Sequence, residues 1–327
     1  MSTTTFKQGT NPGLTETMQI YYDRVFLERA MTELRHDFGA QVKNVPMNSG
    51  KTVYFTRFTP LDLQTTALSE AANPSAIDMT ATTVTATLAE YGGYTKVGSL
   101  YSMTSIESGL TEHVDVHGQN AGETVDRLIR TELASGATAQ RAGGKDLSLI
   151  SATDILSGLE IRKAVRTLKN NKARKFPGGM FRGVIGPYTA MDLMGNSEWL
   201  DAHRYTTADA IEKGVVGKLH GVEFVESNDQ HYAVTAGLST SATNVAAVFS
   251  NFIFGSNAYG VIALGSIQGP KVYVKNPGSN STDNPIDMFA TVGWKIPFAT
   301  KTLNSNWVIN VQTGATDGTT ANDASSL

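Results

Sequence analysis

Two histidines and an aspartate, His113, Asp115 and His117, have the residue types of metal ligands. His113 and His117 are four residues apart, so on a helix they share one face, as pairs of zinc ligands do. No glutamate lies between them to act as a general base, and no third ligand is spaced nearby. We therefore predict a half-exposed helix face here and no metal site.

Two glycine-containing segments could indicate phosphate binding or a nucleophile. Gly50-Lys51-Thr52 resembles the end of a phosphate-binding loop, but that motif needs a glycine where the chain has Val45. It also needs a helix after the lysine, whereas residues 53–55 (VYF) favour a strand. Residues 265–269 (GSIQG) have the wrong spacing for a nucleophile elbow. Cysteine is absent, which excludes thiolate zinc sites and cysteine nucleophiles. We predict no catalytic residue, no cofactor and no enzymatic activity.

A basic stretch is the remaining chemical feature. Its seven basic residues are Arg162, Lys163, Arg166, Lys169, Lys172, Arg174 and Lys175. They could face nucleic acid or an acidic neighbour, or they could form a solvated helix end. No interleaved aromatic residues suggest base stacking. The net charge of -3, from 27 Lys+Arg against 30 Asp+Glu, carries no global signature of a nucleic-acid binder.

The composition is poor in charge. Charged residues make up 17% of the chain, against about 25% in an ordinary globular protein. Such depletion is typical of surfaces covered by other subunits, although a hydroxyl-rich soluble surface would explain it equally. The first eight residues lack the apolar run of a signal peptide, and no stretch approaches the roughly 20 apolar residues that cross a bilayer. We expect folding in the cytosol and no membrane partner.

The segment from Lys51 to Tyr101 predicts an extended β-ribbon. Residues 51–58 (KTVYFTRF) are β-branched and aromatic, and residues 79–88 return with Val84, Ala86 and Leu88 on one face and threonines on the other. The connecting loop, residues 61–77, is broken by Pro60 at its start and by Asn73-Pro74 within it. Because an isolated two-stranded ribbon is marginal in water, this arm must lie on its own body or on another subunit. Assembly is therefore our first hypothesis.

The remaining pattern predicts helices and an α/β region. We expect a helix over about 14–38 whose buried face is Leu27, Met31, Leu34 and Phe38. Further predictions are a bend at 90–94, a long helix from about 106, an α/β region over 151–280, a closing strand pair at 289–298 and 302–312, and a disordered tail from 314.

In the order and spacing of several segments, the chain resembles the major capsid (coat) proteins of tailed bacteriophages, of the phage N-four type. The segments are residues 49–55 (SGKTVYF), 68–70 (LSE), 73–74 (NP), 85–94 (TATLAEYGGY), 214–217 (GVVG), 221–227 (GVEFVES), 255–260 (GSNAYG) and 292–298 (VGWKIPF), followed by Leu303 and Trp307. Together they are spread over most of residues 14–312.

The resemblance implies an α+β fold, the tailed-phage and herpesvirus major capsid fold of the Hong Kong-ninety-seven type. That fold has an N-terminal arm, an extended β-loop, a peripheral domain with a long spine helix, and an axial α/β domain. The implied boundaries are 1–45 for the arm and its helix, 46–101 for the extended loop, 102–150 for the peripheral domain with the spine helix, 151–285 for the axial domain, 286–312 for strands returning to the peripheral domain, and 313–327 for a flexible tail.

The implied function is a shell protein of the virion, assembled in the host cytoplasm into hexamers and pentamers around double-stranded DNA. Portal protein, and scaffold or decoration proteins, are the further partners implied. The residues expected at intersubunit contacts are Arg57, Glu70, Pro74, Tyr91 and Trp294. Those expected to face DNA are Lys169, Lys172 and Lys175.

Two other function classes stay open. An encapsulin-like cellular nanocompartment would share the fold and package a protein cargo. An α/β hydrolase built on residues 151–280 would need a cluster of perturbed titratable groups in a cleft, and His203, His220 and His231 could each lie beside a carboxylate. A fibre or surface-layer adhesin is disfavoured because internal repeats are missing.

Overall fold

In the part of the chain that the structure describes, the strands form two sheets and a separate two-stranded ribbon. A computed structural model describes residues 16–46, 50–59, 61, 63–65, 67, 76–104, 109–199, 217–234, 247–264, 270–275 and 288–316. The helices are α1 (Glu16–Glu33), α2 (Ser99–Thr104), α3 (Gly109–Gly136), α4 (Gly158–Asn170) and α5 (Pro187–Met194). The strands are β1 (Gln41–Val45), β2 (Thr52–Phe58), β3 (Ala81–Thr87), β4 (Ala89–Gly98), β5 (Thr138–Arg141), β6 (Phe181–Ile185), β7 (Lys218–Leu219), β8 (Val222–Glu226), β9 (Tyr232–Val234), β10 (Ala247–Phe254), β11 (Tyr259–Leu264), β12 (Lys271–Lys275), β13 (Phe289–Thr302) and β14 (Val308–Thr313).

The first sheet is organised by the long strand β13. Its residues 289–298 pair with β4, residues 291–295 pair with β12, and residues 299–302 pair with β11, which also carries β1. The predicted bend at 90–94 is wrong, because β4 runs continuously through it. A Cβ atom on Gly92 would lie 2.4 Å from the carbonyl oxygen of Trp294, so this glycine allows close strand packing and marks no turn.

The second sheet has the order β5-β14-β10-β6-β8-β7, with β9 also on β10. The two faces of β10 and β14 are buried differently. Ile253 and Val311 pack in a cluster with Leu168 of α4, whereas Phe252 and Val308 pack in the cluster that includes Val114 of α3. Burial on both faces explains why β10 is apolar along nearly its whole length.

The predicted closing strand pair is therefore wrong. Residues 286–312 were expected to return together to one sheet, but β13 lies in the first sheet and β14 in the second. Conversely, β11 and β12, predicted within the 151–285 region, belong to the first sheet. The start of the predicted tail also differs, because Ala315 is 2% exposed and Thr316 donates two hydrogen bonds to Asp192.

Helix α1 packs on α3 through a face other than the predicted one. Its buried residues are Tyr22, Phe26 and Ala30, whereas Leu27 is 39% and Met31 70% exposed. The helix has two adjacent apolar stripes, and the glycines of α3 decide between them. Cβ atoms on Gly118 and Gly122 would lie 2.7 and 2.4 Å from the carbonyl oxygens of Phe26 and Ala30. The glycines thus let the two backbones approach.

A buried carboxylate fixes the chain that follows α1. Asp126 of α3 accepts hydrogen bonds from the backbone N–H groups of Arg35 and His36, at 2.8 and 2.6 Å, and from the His36 ring at 2.7 Å. Burial by itself would raise the pKa of Asp126, but the hydrogen bonds and charge of His36 outweigh it and hold the pKa below its usual value. Tyr259 of β11 adds a hydrogen bond to the His36 carbonyl oxygen.

Replacing Gly122 with alanine should destabilise the protein, although alanine favours a helix over glycine by about 1 kcal/mol. The added methyl group must push α1 outwards, and overpacking of this kind costs about 1–3 kcal/mol. Thermal unfolding followed by circular dichroism would measure the change. Thr131→Ala, at an exposed position of α3, is the matched control and should leave the midpoint nearly unchanged. A Gly122→Ala variant as stable as the parent would contradict this view of the contact.

Candidate intersubunit surface

The base of the ribbon folds on its own subunit. Strands β2 and β3 pair antiparallel, from Thr52 opposite Thr87 to Phe58 opposite Ala81. On one face the side chains of Val53, Phe55 and Ala86 are buried and form a cluster with Val45, Ile262 and Ala299. The predicted strand pair and alternation of residues 84–88 are confirmed. Of the two covers expected for the ribbon, its own body or another subunit, the body supplies the one for this inner face.

The outer face of the ribbon is uncovered. Tyr54 and Phe58 are 56% and 59% exposed, and they share this face with a row of exposed residues, namely Thr52, Thr56, Ala81, Thr83, Thr85 and Thr87. In the described part of the chain, neither β2 nor β3 pairs with any further strand. Half of the backbone N–H and C=O groups of each strand therefore point away from the pair. The ribbon thus has an outer face with aromatic side chains and, to either side of it, a strand edge that pairs with no further described strand.

The apolar exposure continues beyond the strands. Leu61, Leu63, Ile77 and Met79, which flank the tip of the ribbon, are 45–83% exposed. Several large apolar side chains exposed in one part of a protein are typical of a surface that binds something. The ribbon therefore has the properties of a docking arm.

Specific contacts hold the ribbon base in place. The Lys43 ammonium group donates a hydrogen bond to the Tyr54 carbonyl oxygen at 2.5 Å and lies 5.2 Å from the centre of the Phe55 ring. A Cβ atom on Gly260 would lie 2.9 Å from the Phe55 ring, so β11 approaches the ribbon closely only because it has glycine there. The direction in which the ribbon leaves the body is thus set by packing.

A second exposed apolar surface lies on the outer side of α1. Met31 is 70%, Tyr21 55% and Leu27 39% exposed. The buried stripe of α1 is already occupied by α3. These side chains therefore remain available to another molecule.

The residues predicted at intersubunit contacts have different environments. Arg57 is exposed near the end of β2, on the side of the ribbon that carries Val53 and Phe55 and not on the outer face. Tyr91 is half-buried and lines a cavity of about 270 Å³ beside the ribbon base. Trp294 is only 4% exposed, and its indole N–H donates a hydrogen bond to Asn120 of α3 at 3.1 Å, so it contacts its own subunit. Glu70 and Pro74 lie outside the described residues.

We did not predict from the sequence which large apolar side chains are exposed. Among them are Tyr54, Phe58, Leu63, Met79 and Met31. A signal was present in β2, where Val53 and Phe55 alternate with Tyr54 and Phe58, so both faces are apolar. A strand that is apolar on both faces is normally central in a sheet. In a two-stranded ribbon the same pattern indicates that a second covering surface comes from elsewhere.

The histidines of α3 join the helix to the first sheet. His117 and His113 lie 2.9 and 3.5 Å from the hydroxyl oxygen of Thr95 on β4. Burial lowers the pKa of His117, and the proximity of His113 lowers it further. Among the described residues, no group of three or more His, Asp or Glu side chains could hold a metal ion.

Two of the three histidines considered for a hydrolase site have polar partners. His220 lies 2.9 Å from a carboxylate oxygen of Glu198, and His231 lies 3.1 Å from the hydroxyl of Ser250. Ser250 is 4% exposed and accepts a hydrogen bond from Asn310, which closes its hydroxyl to a substrate. His203 lies outside the described residues. Where the structure describes them, the helices include none that is both long and apolar enough to cross a membrane.

The lysines predicted to face DNA are all exposed at the end of α4 and just beyond it. Lys172 has a left-handed backbone (φ 53°), and the N–H groups of Lys172 and Ala173 donate to the carbonyl oxygens of Lys169 and Leu168. This is a Schellman ending with lysine in the position that glycine usually takes. The Lys175 ammonium group lies 5.8 Å from the centre of the Phe181 ring.

The chain shares its fold with capsid proteins of tailed phages. The capsid protein of Ralstonia phage GP4 superposes with a TM-score of 0.66 at 14% identity, over 85% of this chain and 87% of that one. The capsid protein of cyanophage Pam1 superposes with a TM-score of 0.63 at 13% identity, over 97% of this chain and 98% of that one. The predicted fold, α+β of the Hong Kong-ninety-seven type, is confirmed.

A more distant likeness is to the virus-like particle of Pyrococcus furiosus, with a TM-score of 0.51 at 10% identity, over 91% of this chain and all of that one. No protein-family model and no curated protein matches the chain. The phage N-four type therefore stays a prediction.

Replacing Phe58 with aspartate should weaken self-association while leaving the fold of the subunit intact. Exposed substitutions usually change stability by less than about 0.5 kcal/mol, whereas loss of a central aromatic contact costs an interface about 2 kcal/mol, or roughly 30-fold in affinity. Sedimentation velocity would measure association, and thermal unfolding would report on the fold. The control is Leu149→Asp, because Leu149 is equally exposed, at 61%, but distant in the fold. Equal association of the two variants would contradict a role for the outer ribbon face.

Proposed function

We propose that this chain is the major capsid protein of a tailed bacteriophage, which self-assembles into hexamers and pentamers of an icosahedral shell enclosing double-stranded DNA. One observation carries the proposal: the ribbon of a chain with the phage-capsid fold is covered on one face by its own subunit and exposes Tyr54 and Phe58 on the other. A second copy of the chain is the simplest cover for that face.

The physics of a closed shell favours such an arm. Identical subunits in a shell must meet at several angles, which a protruding two-stranded ribbon accommodates more easily than a rigid flat patch. Main-chain groups at open strand edges can supply adhesion without a unique side-chain fit, and apolar side chains add affinity. The face of the ribbon that its own subunit leaves exposed would thereby be covered by a neighbouring subunit.

The domain assignment follows from the two sheets. We assign the first sheet, with α3 as spine helix, to a peripheral domain, and the second sheet, with α4 and α5, to an axial domain. The arm corresponds to residues 1 to about 40 and the extended loop to residues 46 to about 88, since β1 and β4 belong to the first sheet. In place of the boundaries predicted at 285 and 312, this assignment gives β11, β12 and β13 to the peripheral domain and β14 to the axial domain.

The further partners follow from the same proposal. A shell that encloses DNA needs an inner surface compatible with phosphate, a portal for entry and, in many designs, a scaffold or decoration protein. We place assembly in the host cytoplasm and the finished protein in the virion. Intersubunit contacts would involve Arg57 at the ribbon, with Glu70, Pro74 and Tyr91 as further positions. Trp294 would act indirectly, by holding α3 against β13.

A cellular nanocompartment shell is the second candidate, because the virus-like particle of Pyrococcus furiosus shares the fold over most of both chains. The phage capsid proteins of GP4 and Pam1 superpose more closely, which supports a phage capsid as the first candidate. The two candidates differ in content, since a phage shell packages DNA and a nanocompartment packages protein.

Deleting residues 61–77 should leave a folded, soluble subunit but abolish closed particles, because the deletion removes the ribbon tip and leaves the buried base intact. Negative-stain electron microscopy of the purified parent and variant, after size-exclusion chromatography, would measure this. The parent should form closed particles or rings of five and six. Normal shells from the deletion variant would exclude the ribbon tip as an adhesive element, and a parent chain that remains monomeric under crowding would overturn the shell function.

A further inference from the structure

A basic groove lies between α4 and the turn that joins β7 to β8. Its cavity measures about 390 Å³, and its lining residues are Arg162, Val165, Arg166, Lys169, Asn170 and His220. Val165 is buried and forms the floor. The other lining groups are all polar and can donate hydrogen bonds.

One wall of the groove is a cationic face of α4. Arg162, Arg166 and Lys169 follow one another at intervals of four and three residues, so they lie on the same side of the helix, about 6 and 4.5 Å apart along its axis. All three are exposed. The row is therefore in reach of an extended ligand that runs along the helix.

A tight turn places the opposite wall. The pairs Lys218–Glu223 and Leu219–Val222 leave a two-residue loop, His220-Gly221, whose φ angles are 48° and 82°. Positive φ at both loop residues defines a type I′ hairpin turn, which matches the twist of the strands. The His220 ring is oriented by Glu198, whose carboxylate oxygen is 2.9 Å from Nε2. The imidazole is therefore held in a defined place at the rim.

The charge of the groove is positive after its internal pairing is counted. Glu198 is its acidic neighbour, and both carboxylate oxygens are engaged, one by Arg162 at 3.0 Å and the other by His220. The hydrogen bond from His220 holds the pKa of Glu198 below its usual value, and the charge of Arg162 adds to this effect. In the described ranges, Arg166 and Lys169 make no ion pair. Two cations thus remain for an external anion.

The groove opens onto a larger basic surface. Residues 162–175 contain seven basic residues and no acidic one, and Lys172, Arg174 and Lys175 are exposed just beyond the helix. A ligand bound along the groove would leave it towards these side chains. The basic surface is therefore elongated and extends beyond the groove.

We propose that this groove binds the phosphate backbone of nucleic acid, with Arg166 and Lys169 as the main contacts and Arg162, Asn170 and His220 as supporting donors. Guanidinium groups bind phosphate through paired hydrogen bonds. Because no Phe, Tyr or Trp is among the described residues that line the groove, the contacts would be to the backbone and independent of base sequence. The inference rests on the proposed function, in which the enclosed polyanion is double-stranded DNA. It moves the main contacts from Lys172 and Lys175 to the helix face.

Salt dependence of DNA binding tests the proposal. The purified full-length chain would be titrated with a labelled random-sequence DNA duplex at several salt concentrations. Because each phosphate contact contributes about 0.9 to the slope of log K against log salt, the double variant Arg166→Gln/Lys169→Gln should lower the slope by about 1.8. The matched control is Lys271→Gln/Lys275→Gln, which removes the same charge from exposed positions of β12. Its slope should be unchanged.

The outcomes separate this inference from the shell function. Equal slopes for the groove variant and the control would overturn the groove as the DNA site, and so would competition by polyglutamate that exceeds competition by duplex DNA of equal charge. Electron microscopy of the same variants reports on assembly independently. Normal shells combined with a lowered slope support both proposals, whereas normal shells with an unchanged slope overturn only the groove. If the parent chain forms no shells, the proposed function fails whatever the slope.

Discussion

The constraint on which the structure depends is that a two-stranded ribbon has two faces and its own subunit covers one. Val53, Phe55 and Ala86 are buried against the body, and Tyr54 and Phe58 on the other face are not. Burial of the inner face makes the ribbon part of the subunit, so it leaves the body in a set direction. Exposure of the outer face makes the subunit incomplete. A set direction and an exposed outer face are both needed if the ribbon is to bind a neighbouring subunit at a defined place.

The rest of the subunit provides a firm base for that arm. Helix α3 carries the glycines that admit α1, the carboxylate of Asp126 that fixes the chain after α1, and Asn120, which binds the Trp294 indole of β13. One helix therefore joins the N-terminal arm to the first sheet. Since the cluster that contains Phe252 and Val308 also packs against α3, the second sheet is held by the same element.

Much of this arrangement is readable from the sequence. The ribbon and its alternation follow from period-two patterning, because Val84, Ala86 and Leu88 differ in kind from the threonines between them. The buried face of α1 could not be predicted, since two apolar stripes satisfy the helical period equally and the choice depends on Gly118 and Gly122, about 90 residues away. The separation of β13 and β14 into different sheets also depends on distant partners. Proximity in the chain favoured pairing the two strands with each other.

The candidate binding surfaces are likewise hard to predict where they depend on residues that are distant in the chain. The basic stretch is evident as a run of residues, but the groove depends on His220, which a hairpin turn and Glu198 bring opposite α4 from about 55 residues away. The sequence shows that β2 contains aromatic residues, but it does not show which of them are exposed. Their exposure depends on which face of the ribbon the body covers. Contacts between adjacent residues are therefore predictable here, whereas contacts between distant segments require the structure.

Whether a neighbour completes the ribbon can be measured by amide hydrogen exchange of residues 52–58 and 81–87, compared between the free subunit and assembled particles. We predict that amides at the open edges of both strands exchange rapidly in the subunit and are slowed by a factor of about 100 or more in particles, while amides of β10 and β14 are protected in both. Equal protection of the ribbon in the two states would show that the subunit stabilises it without a neighbour, and would exclude the ribbon as an arm completed by assembly.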